Sequence, residues 1–543
     1  MQAPRGLRSR TIGAYLDERG IAPGPGRDAF LHPRLASLTP PAGMADRELA
    51  AQRLATAIRK DEPVVVFGDY DCDGMTATAI LAGGLRRLGA NVTTCLASRF
   101  DGGYGVSPQA LARIEASAPG LVVTCDCGSS DHQAIGALQG AGVDVIVVDH
   151  HLVPSEPLPA LAFLNPHRPD CPFPFKWLAS CGLVMSLLGQ VRAELGRPLD
   201  LRDYLDLVAI GTVADVAPLE GDNRTLVRAG LERLAKPERP GLRALLELLG
   251  VTGEFPVTAS DIAFRIAPRL NAPGRLGAPD LALDLLLAES LTDARILAER
   301  LDQASSQRRA VQLEIEEQAR ALASAEAADG CAALVLGQAD WNHGIVGIVA
   351  GRMADEFGLP TMVIGFEGDV GRGSVRGPAG FPLYDAVSAC AEHLVRFGGH
   401  QAAAGVTVER RALAELRAAF DAACRAQRDR VETKAAAPGL TLHPDDSLAD
   451  VLADLWLLEP CGAQNPLPAL EVEGTVREAR SVRGGHLKLS LSLPSGATLQ
   501  AFGPNLGQRG ADLRGQVRVS GELRPDRHRG GDAVELLIRN LVS

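Results

Sequence analysis

The sequence predicts an α/β fold in which a parallel-sheet domain and a second α/β domain are joined by a helical connector and followed by a C-terminal β-barrel. Three observations support this prediction. Short apolar runs alternate with amphipathic stretches over residues 63–151, which favours a parallel sheet covered by helices. The charged stretch Leu291–Ala325 contains no Gly or Pro, which is typical of a long helix between domains. Closely spaced apolar runs near the C-terminus favour a small barrel.

The first block contains four predicted strands and three predicted helices. The strands are Val64–Phe67, Val92–Ala97, Leu121–Cys125 and Val143–Val148. The helices are Met75–Leu88, Pro108–Ser117 and Ser130–Gly140. Crossovers between such strands are right-handed, and ligands collect at the carboxyl ends of the strands. Residues that directly follow these strands are therefore the first candidates for a site.

Three carboxylates, Asp69, Asp71 and Asp73, follow the first predicted strand in the segment Gly68–Gly74. Like charges this close repel one another unless a cation neutralises them. An EF-hand loop is excluded because its twelfth position, Ile80, is not Glu, and a P-loop is excluded because Lys does not follow Gly74. A divalent-metal site is the favoured interpretation, and a purely structural acidic turn is the alternative.

Further acidic and imidazole groups follow other predicted elements. Asp126 comes directly after the third strand, and Asp149-His150-His151 follows the fourth. Asp215 lies near the end of the apolar helical segment Leu201–Pro218, where an acid is costly unless it has a partner. A helix cap is the alternative for Asp215, but a metal ligand is preferred. Acidic groups at several strand ends thus reinforce the prediction of a metal site.

Composition narrows the class of protein. A chain of 543 residues suggests about three or four domains. No run of about 18 apolar residues predicts a membrane span, and the basic N-terminus lacks an apolar signal-peptide core. The ten Cys are expected to be reduced thiols of a cytoplasmic protein, with a zinc site at Cys125 and Cys127 as the alternative.

Net charge does not decide whether the partner is nucleic acid. The formal charge of −11 argues against it, but a metal site consumes several carboxylates. Residues 471–543 carry eleven Lys and Arg against eight Asp and Glu. This local excess, including Arg524, Arg527 and Arg529, suggests that the barrel grips DNA, and arginines that only decorate a solvated hairpin turn are the alternative.

The second α/β block begins near Cys331. Its predicted elements are the strands Ala332–Leu336 and Thr361–Ile364 and the helix Ile345–Phe357. Two Gly-rich segments, Gly371–Gly377 and Gly398–Gly405, are expected to be loops. Arg372, Ser374 and Arg376 in the first segment offer phosphate contacts, although tight turns are the commoner cause of such segments.

A linker is predicted at Lys434–Pro438, ahead of the barrel. The predicted barrel strands are Leu487–Leu493, Thr498–Phe502, Gln516–Leu523 and Ala533–Ile538. Four or five such strands favour an OB-fold, whose groove binds single strands by stacking and charge.

The motifs around the predicted metal site resemble motifs I to IV of the DHH phosphoesterases, and within that superfamily the chain resembles the RecJ exonucleases. The motif residues are Gly68–Gly74, Thr124–Gly128, Val148–His151 and Asp215. The supporting segments are Asn165–Lys176, Arg269–Leu276, Gly371–Arg376, Gly398–Gly405 and Leu458–Pro468. The resemblance implies a DHH domain, a DHHA1-type second domain and an OB-like barrel. It also implies a single-strand-specific 5′→3′ DNA exonuclease that releases 5′-mononucleotides in DNA repair and recombination.

The resemblance implies a role for each candidate residue. Two ions, Mn²⁺ or Mg²⁺, would be held by Asp71, Asp73, Asp126, His150 and Asp215, with Asp126 as the bridge. His151, Asp69 and Arg99 are the expected catalytic residues, and Asp149 is expected to support His150. The expected substrate-binding residues are Arg275, Ser374, Arg376 and His400, of which the first three resemble a pocket for the terminal 5′-phosphate.

The expected domains are an N-terminal extension (1–60), the DHH domain (61–224), a helical connector (225–328), the DHHA1-type domain (329–433) and the OB-like domain (434–543). Expected partners are single-stranded DNA, a single-strand DNA-binding protein and a recombination helicase, for a cytoplasmic, monomeric enzyme without membrane contact. One alternative is a small-molecule or short-oligonucleotide DHH enzyme, such as a pyrophosphatase, nano-RNase or cyclic-dinucleotide phosphodiesterase. The C-terminal barrel argues against it. Another alternative, a catalytically silent DNA-binding scaffold, has no need of clustered carboxylates.

Overall fold

The structure is a computed structural model that describes residues 6–542 except 252, 254, 329, 401–402, 428–438, 511, 527–528 and 531–532. The side chains of residues 400, 509 and 542 also lie outside the description. No helix within the described ranges is both long and apolar enough to cross a membrane.

The first domain is built on a five-stranded parallel sheet in the order β2-β1-β3-β4-β5. Its strands are β1 (Val64–Gly68), β2 (Val92–Leu96), β3 (Leu121–Cys125), β4 (Asp144–Val148) and β5 (Ala162–Leu164). The buried central strands are continuous apolar runs, as expected for a sheet covered on both faces. The predicted parallel sheet is thus confirmed. The sequence analysis missed β5, because a strand of three residues carries too little pattern.

Helices surround this sheet and continue into the connector. The helices before and around the sheet are α1 (Arg10–Glu18), α2 (Pro25–Leu31), α3 (Arg47–Arg59), α4 (Cys72–Arg87), α5 (Pro108–Ala116), α6 (His132–Gly140), α7 (Ser180–Leu195) and α8 (Leu205–Ala214). Those of the connector are α9 (Gly221–Leu234), α10 (Pro240–Leu249), α11 (Ala259–Asp261), α12 (Ala267–Gly274), α13 (Asp280–Leu287) and α14 (Leu291–Ala328). A π-helical turn, Ile262–Ile266, joins α11 to α12. The long helix predicted from residue 291 is present as α14.

The second α/β domain contains a mixed sheet in the order β6-β7-β8-β10-β9, in which only β6 and β7 pair in parallel. Its elements are β6 (Leu334–Ala339), α15 (Val346–Phe357), β7 (Thr361–Glu367), β8 (Val370–Arg376), α16 (Leu383–Ser388), β9 (Arg396–His400), β10 (Ala403–Glu409) and α17 (Leu413–Gln427).

The Gly-rich segments of this domain are strands, so the expectation of loops was wrong. The first forms β8, and the described part of the second forms β9 and β10. Some of these glycines serve close packing: a Cβ at Gly371 would lie 2.6 Å from side-chain atoms of Ile364 and Phe366. Composition alone did not distinguish this use of Gly from a turn.

The C-terminal domain is a barrel closed by pairing of β12 with β15. Its elements are β11 (Leu440–Thr441), α18 (Leu448–Leu458), β12 (Leu470–Val482), β13 (His486–Ser492), β14 (Thr498–Gly503), α19 (Gly507–Gly510), β15 (Gln516–Pro525) and β16 (Val534–Val542). The sequence analysis missed β12 because Glu and Arg occupy its exposed positions. Helix α1 packs into the core of this domain, and Ser9 donates from both its backbone N and its Oγ to buried Asp454.

The basic residues predicted to grip DNA have partners in the barrel. Arg524 forms an ion pair with Glu535 at 2.7 Å, and Arg529 lies 3.7 Å from Asp526. Arg527 lies outside the described residues. A count of basic residues in the sequence therefore overestimates the positive charge available to DNA, because Arg524 and Arg529 lie beside carboxylates.

Candidate metal centre and phosphate pocket

The predicted metal-site residues converge at the carboxyl edge of the first sheet. Asp69 and Asp71 follow β1, and Asp73 lies in the first turn of α4. Asp126 follows β3, in the left-handed region with φ of 65°, and His150 and His151 follow β4. Asp215 ends α8, which packs against α4. Parallel strands explain the convergence, because their carboxyl ends meet at one edge.

The side chains form three groups that could each hold an ion, and the ligand atoms within each group lie within 4.8 Å of one another. One group consists of Asp73, His150 and Asp215, and another of Asp69, Asp71 and Asp126. The third, Asp126 with His150 and His151, shares one residue with each of the others. His150 Nε2 lies 3.2 Å from Asp126 Oδ1 and 3.8 Å from Asp215 Oδ2. Asp126 thus belongs to two of the groups and lies beside His150 of the remaining one, where a bridging ligand would be needed.

The centre has an excess of buried negative charge. Burial, followed by the carboxylates of Asp73, Asp71 and Asp69, raises the pKa of Asp126 well above its ordinary value. The same causes, burial and then Asp73 and Asp71, raise the pKa of Asp215 to about 8. Burial lowers the pKa of His150, which favours the neutral imidazole. Divalent cations would relieve this repulsion.

Two buried side-chain atoms that have no hydrogen-bond partner in the described part of the chain are suited to coordinate a metal. Asp69 Oδ1 and His150 Nε2 are buried, and neither forms a hydrogen bond in the described structure. Carboxylate and imidazole donors of this kind suit Mn²⁺ and Mg²⁺. Among the described residues, none of the groups that could hold a metal contains a Cys, which does not favour the zinc alternative.

The N-terminus of α7 fixes the carboxylates from the opposite side. Asp73 accepts hydrogen bonds from the backbone N of Ser180 at 2.7 Å and of Cys181 at 3.0 Å. Ser180 Oγ donates to Asp126 Oδ1 at 3.0 Å. Sequence analysis missed Ser180, since nothing in its neighbourhood connects it to a carboxylate 107 residues away.

Asp149 supports His150 only through its backbone, and the ring that Asp149 contacts is that of His151. Asp149 Oδ1 lies 2.7 Å from His151 Nδ1 and accepts from the backbone N of His150. Residues two apart in extended backbone share a face, so His151 faces Asp149 while His150 points to the carboxylates. Burial opposes protonation of His151, but the hydrogen bond and charge of Asp149 raise its pKa to about 9.

A second cluster is cationic. Arg275 Nη1 donates to the carbonyl of Gly344 at 2.8 Å, and Arg376 and Ser374 lie on β8. A Cβ at Gly347 of α15 would lie 3.0 Å from Ser374 Oγ and 3.5 Å from Arg376 Nη2, so Gly keeps this face open.

The arginines of this cluster form no ion pair with the residues that the structure describes. Burial and then the charges of Arg99, Arg308 and Arg376 lower the pKa of Arg275 to about 9. Within the described ranges, no carboxylate forms an ion pair with any of these four arginines. Arg99 also lies 4.2 Å from the ring centroid of Tyr70, beside the acidic motif. The cluster is therefore suited to bind an anion near the metal centre.

Arg308 and His400 are two further residues with a possible role in substrate binding. Sequence analysis missed Arg308, which extends from α14 and whose buried Nε has no partner among the described atoms. Its position on the predicted interdomain helix was the one sequence feature that could have pointed to Arg308. His400 ends β9, but its side chain lies outside the description.

Family models match all three domains. The model of the DHH family, N-terminal domain, matches residues 63–212, the DHHA1 domain matches 329–426, and the RecJ OB domain matches 440–540. A Bacillus subtilis protein named single-stranded-DNA-specific exonuclease RecJ is 32% identical over 541 residues, which cover 97% of this chain and 67% of that protein. The chain belongs to the RecJ family.

Solved RecJ structures agree with this membership. RecJ from Thermus thermophilus in complex with Mn²⁺ has a TM-score of 0.82 and 32% identity, over 98% of this chain and 76% of that chain. The Mg²⁺ complex of RecJ from the same organism has a TM-score of 0.76 and 30% identity, over 98% and 75% of the two chains. The predicted fold class is confirmed, and the predicted ions are those of these RecJ complexes.

Proposed function

We propose that this chain is a metal-dependent exonuclease that degrades single-stranded DNA from its 5′ end and releases 5′-mononucleotides. The observation that carries the proposal is the buried carboxylate and imidazole centre, in a chain whose relatives are named single-stranded-DNA-specific exonucleases. The closed barrel adds a nucleic-acid-binding module of the OB type.

The chain's residues have separate tasks in this proposal. Asp71, Asp73, Asp126, His150 and Asp215, with Asp69 adjoining them, would hold two ions. Bound Mn²⁺ or Mg²⁺ supplies activation of a water and stabilisation of the leaving oxygen.

Protein groups orient the phosphate that is cleaved. His151, oriented by its contact with Asp149, would hold a non-bridging oxygen of that phosphate, and Arg99 would neutralise further charge beside it. Ser180 and Cys181 keep Asp73 and Asp126 in place without a further rearrangement.

The arginine cluster supports the 5′→3′ direction. A terminal phosphate carries more negative charge than an internal phosphodiester, and Arg275, Arg376 and Ser374 offer fork-like and hydroxyl donors for its oxygens. Binding the terminal phosphate there would place a phosphodiester near the 5′ end at the metal centre.

The cellular setting is part of the same proposal. We infer a cytoplasmic, monomeric enzyme that acts in DNA repair and recombination. A single-strand DNA-binding protein and a recombination helicase would supply its strands, since the enzyme needs unpaired DNA. Faster digestion of a duplex when a helicase is added would support this partnership, and unchanged digestion would argue against it.

Incubation with Mn²⁺ and a 5′-labelled single strand tests the activity. We expect mononucleotides from the single strand, little product from a blunt duplex, and complete loss of activity with a chelator that is reversed by added Mn²⁺. Cyclic dinucleotides and inorganic pyrophosphate serve as competing substrates. Their rapid hydrolysis with an intact single strand would replace the proposal by a small-molecule phosphoesterase.

A further inference from the structure

Phe264 is the most exposed large apolar side chain in the described part of the molecule, with 77% of its surface accessible. It lies on the π-helical turn Ile262–Ile266, whose two end residues are fully buried. These two residues anchor the turn in the core, while Phe264 faces away from it. An aromatic ring held in water on an anchored turn is available to a ligand.

The sequence accounts for the irregular turn. Pro268, in the first turn of α12, has no N–H to donate to the carbonyl of Phe264, so the regular α-helical hydrogen bond cannot form there. Such widened turns occur frequently at functional sites. The turn that exposes the Phe264 ring therefore follows from the position of Pro268 in the sequence.

The ring lines a groove of about 1250 Å³ between the helical connector and the barrel. Val213 and Val216, on either side of Asp215, line the same groove, as does Arg275 of the arginine cluster. Lys488 and Phe502 contribute the barrel wall. The groove thus connects the surroundings of the metal centre with the barrel.

The charges of the groove fit a polyanion. Six cationic and four acidic side chains line it, and three of the acids are ion-paired: Asp261 with Arg265, Glu522 with Arg539, and Glu535 with Arg524. For Lys488, Arg275 and Arg308, no ion pair is formed with any residue that the structure describes. A strand with phosphates and flat bases matches the combination of free cations and an exposed ring.

We propose that Phe264 stacks on a base of the single strand as the strand passes from the metal centre to the barrel. The inference rests on the proposed function and adds a base-binding residue to it. Stacking tolerates every base, so Phe264 holds the strand in register without imposing sequence preference.

Four single variants test the stacking. Phe264→Leu keeps an apolar side chain but removes the ring, Phe264→Tyr and Phe264→Trp keep a ring, and Ile296→Ala removes an exposed apolar side chain of α14 that is outside the groove. Binding of a long single strand is measured in chelator by fluorescence anisotropy. We expect Phe264→Leu to weaken it about ten-fold. The ring-bearing variants and Ile296→Ala should bind as the wild type does.

A strand without bases separates stacking from packing. Wild type should bind an abasic strand about as weakly as Phe264→Leu binds the normal strand. The affinity of Phe264→Leu should be the same for both strands. Equal affinity of Phe264→Leu and wild type for the normal strand would overturn the inference. A change of oligomeric state in place of DNA affinity would also overturn it and identify a second copy as the occupant.

The two levels of the proposal fail differently. If wild type releases no nucleotides from single strands, the proposed function fails. If wild type digests them and Phe264→Leu binds and digests them equally well, only the stacking role fails. Thermal unfolding of each variant shows whether the fold is retained. If Phe264→Leu impairs folding, the comparison of normal and abasic strands on the wild type still tests the stacking, because equal affinity for both strands would overturn it.

Discussion

Replacing Asp126 by Ala is expected to reduce nuclease activity by a factor on the order of 10³ or more, because one carboxylate that belongs to two of the ligand groups is lost. Asp126 belongs to the group with Asp69 and Asp71, and its Oδ1 lies 3.2 Å from His150 Nε2. Activity on a single strand in Mn²⁺ is compared with that of Asp200→Ala, which removes an exposed carboxylate that forms an ion pair with Arg202. The control should keep wild-type activity.

Thermal unfolding shows whether this loss reflects metal binding. Burial and then repulsion by the neighbouring carboxylates raise the pKa of Asp126, so removal of this carboxylate should not lower the melting temperature in chelator. Added Mn²⁺ should stabilise wild type through binding to the folded state, and should stabilise Asp126→Ala much less. The two-ion account would be contradicted if Asp126→Ala kept most of its activity. It would also be contradicted if Mn²⁺ raised the melting temperatures of both proteins equally.

Replacing Arg376 by Ala is expected to impair digestion of 5′-phosphorylated strands more than that of 5′-hydroxyl strands. A charge-assisted hydrogen bond contributes about 1.5–3 kcal/mol, which corresponds to about a 10- to 150-fold loss in kcat/KM. The guanidinium lies beside Arg99 and Arg275 without a carboxylate partner in the described structure, so an anion is its expected ligand. Steady-state kinetics on strands that differ only at the 5′ end measure the effect.

Two further variants sharpen this measurement. Arg376→Lys keeps the charge but not the planar fork, and should give an intermediate loss. Arg411→Ala removes an exposed arginine of the same domain that pairs with Glu409, and should leave both substrates unaffected. An equal loss on both 5′ ends for Arg376→Ala would contradict a pocket for the terminal phosphate.

The sequence predicted the convergence of the acidic groups because two simple rules operate together. Continuous apolar runs such as Val64–Phe67 indicate buried parallel strands, and such strands bring their carboxyl ends to one edge. Hence Asp69, Asp126 and His150, from three strand ends, could be assigned to one site from the order of residues alone.

Features that depend on packing were not predictable in this way. Ser180 reaches Asp126 only because α7 begins beside the sheet edge. Gly371 and Gly373 of β8 and Gly399 of β9 have neighbours that leave no room for a Cβ, and α1 packs into the barrel at the other end of the chain. The partner of Asp149 was predictable in principle, because alternation in extended backbone places His151 on the same face as Asp149.

The order in which the two ends of one strand are released tests the central claim most directly. A 5′-phosphorylated single strand with different labels at its two ends is digested in Mn²⁺ with the strand in excess, and products are followed over time. We expect the 5′ label to appear first, as a mononucleotide, while the 3′ label stays on progressively shorter strands. Early release of the 3′ label, or internal fragments that carry either label, would contradict a 5′ exonuclease built from this metal centre and phosphate pocket.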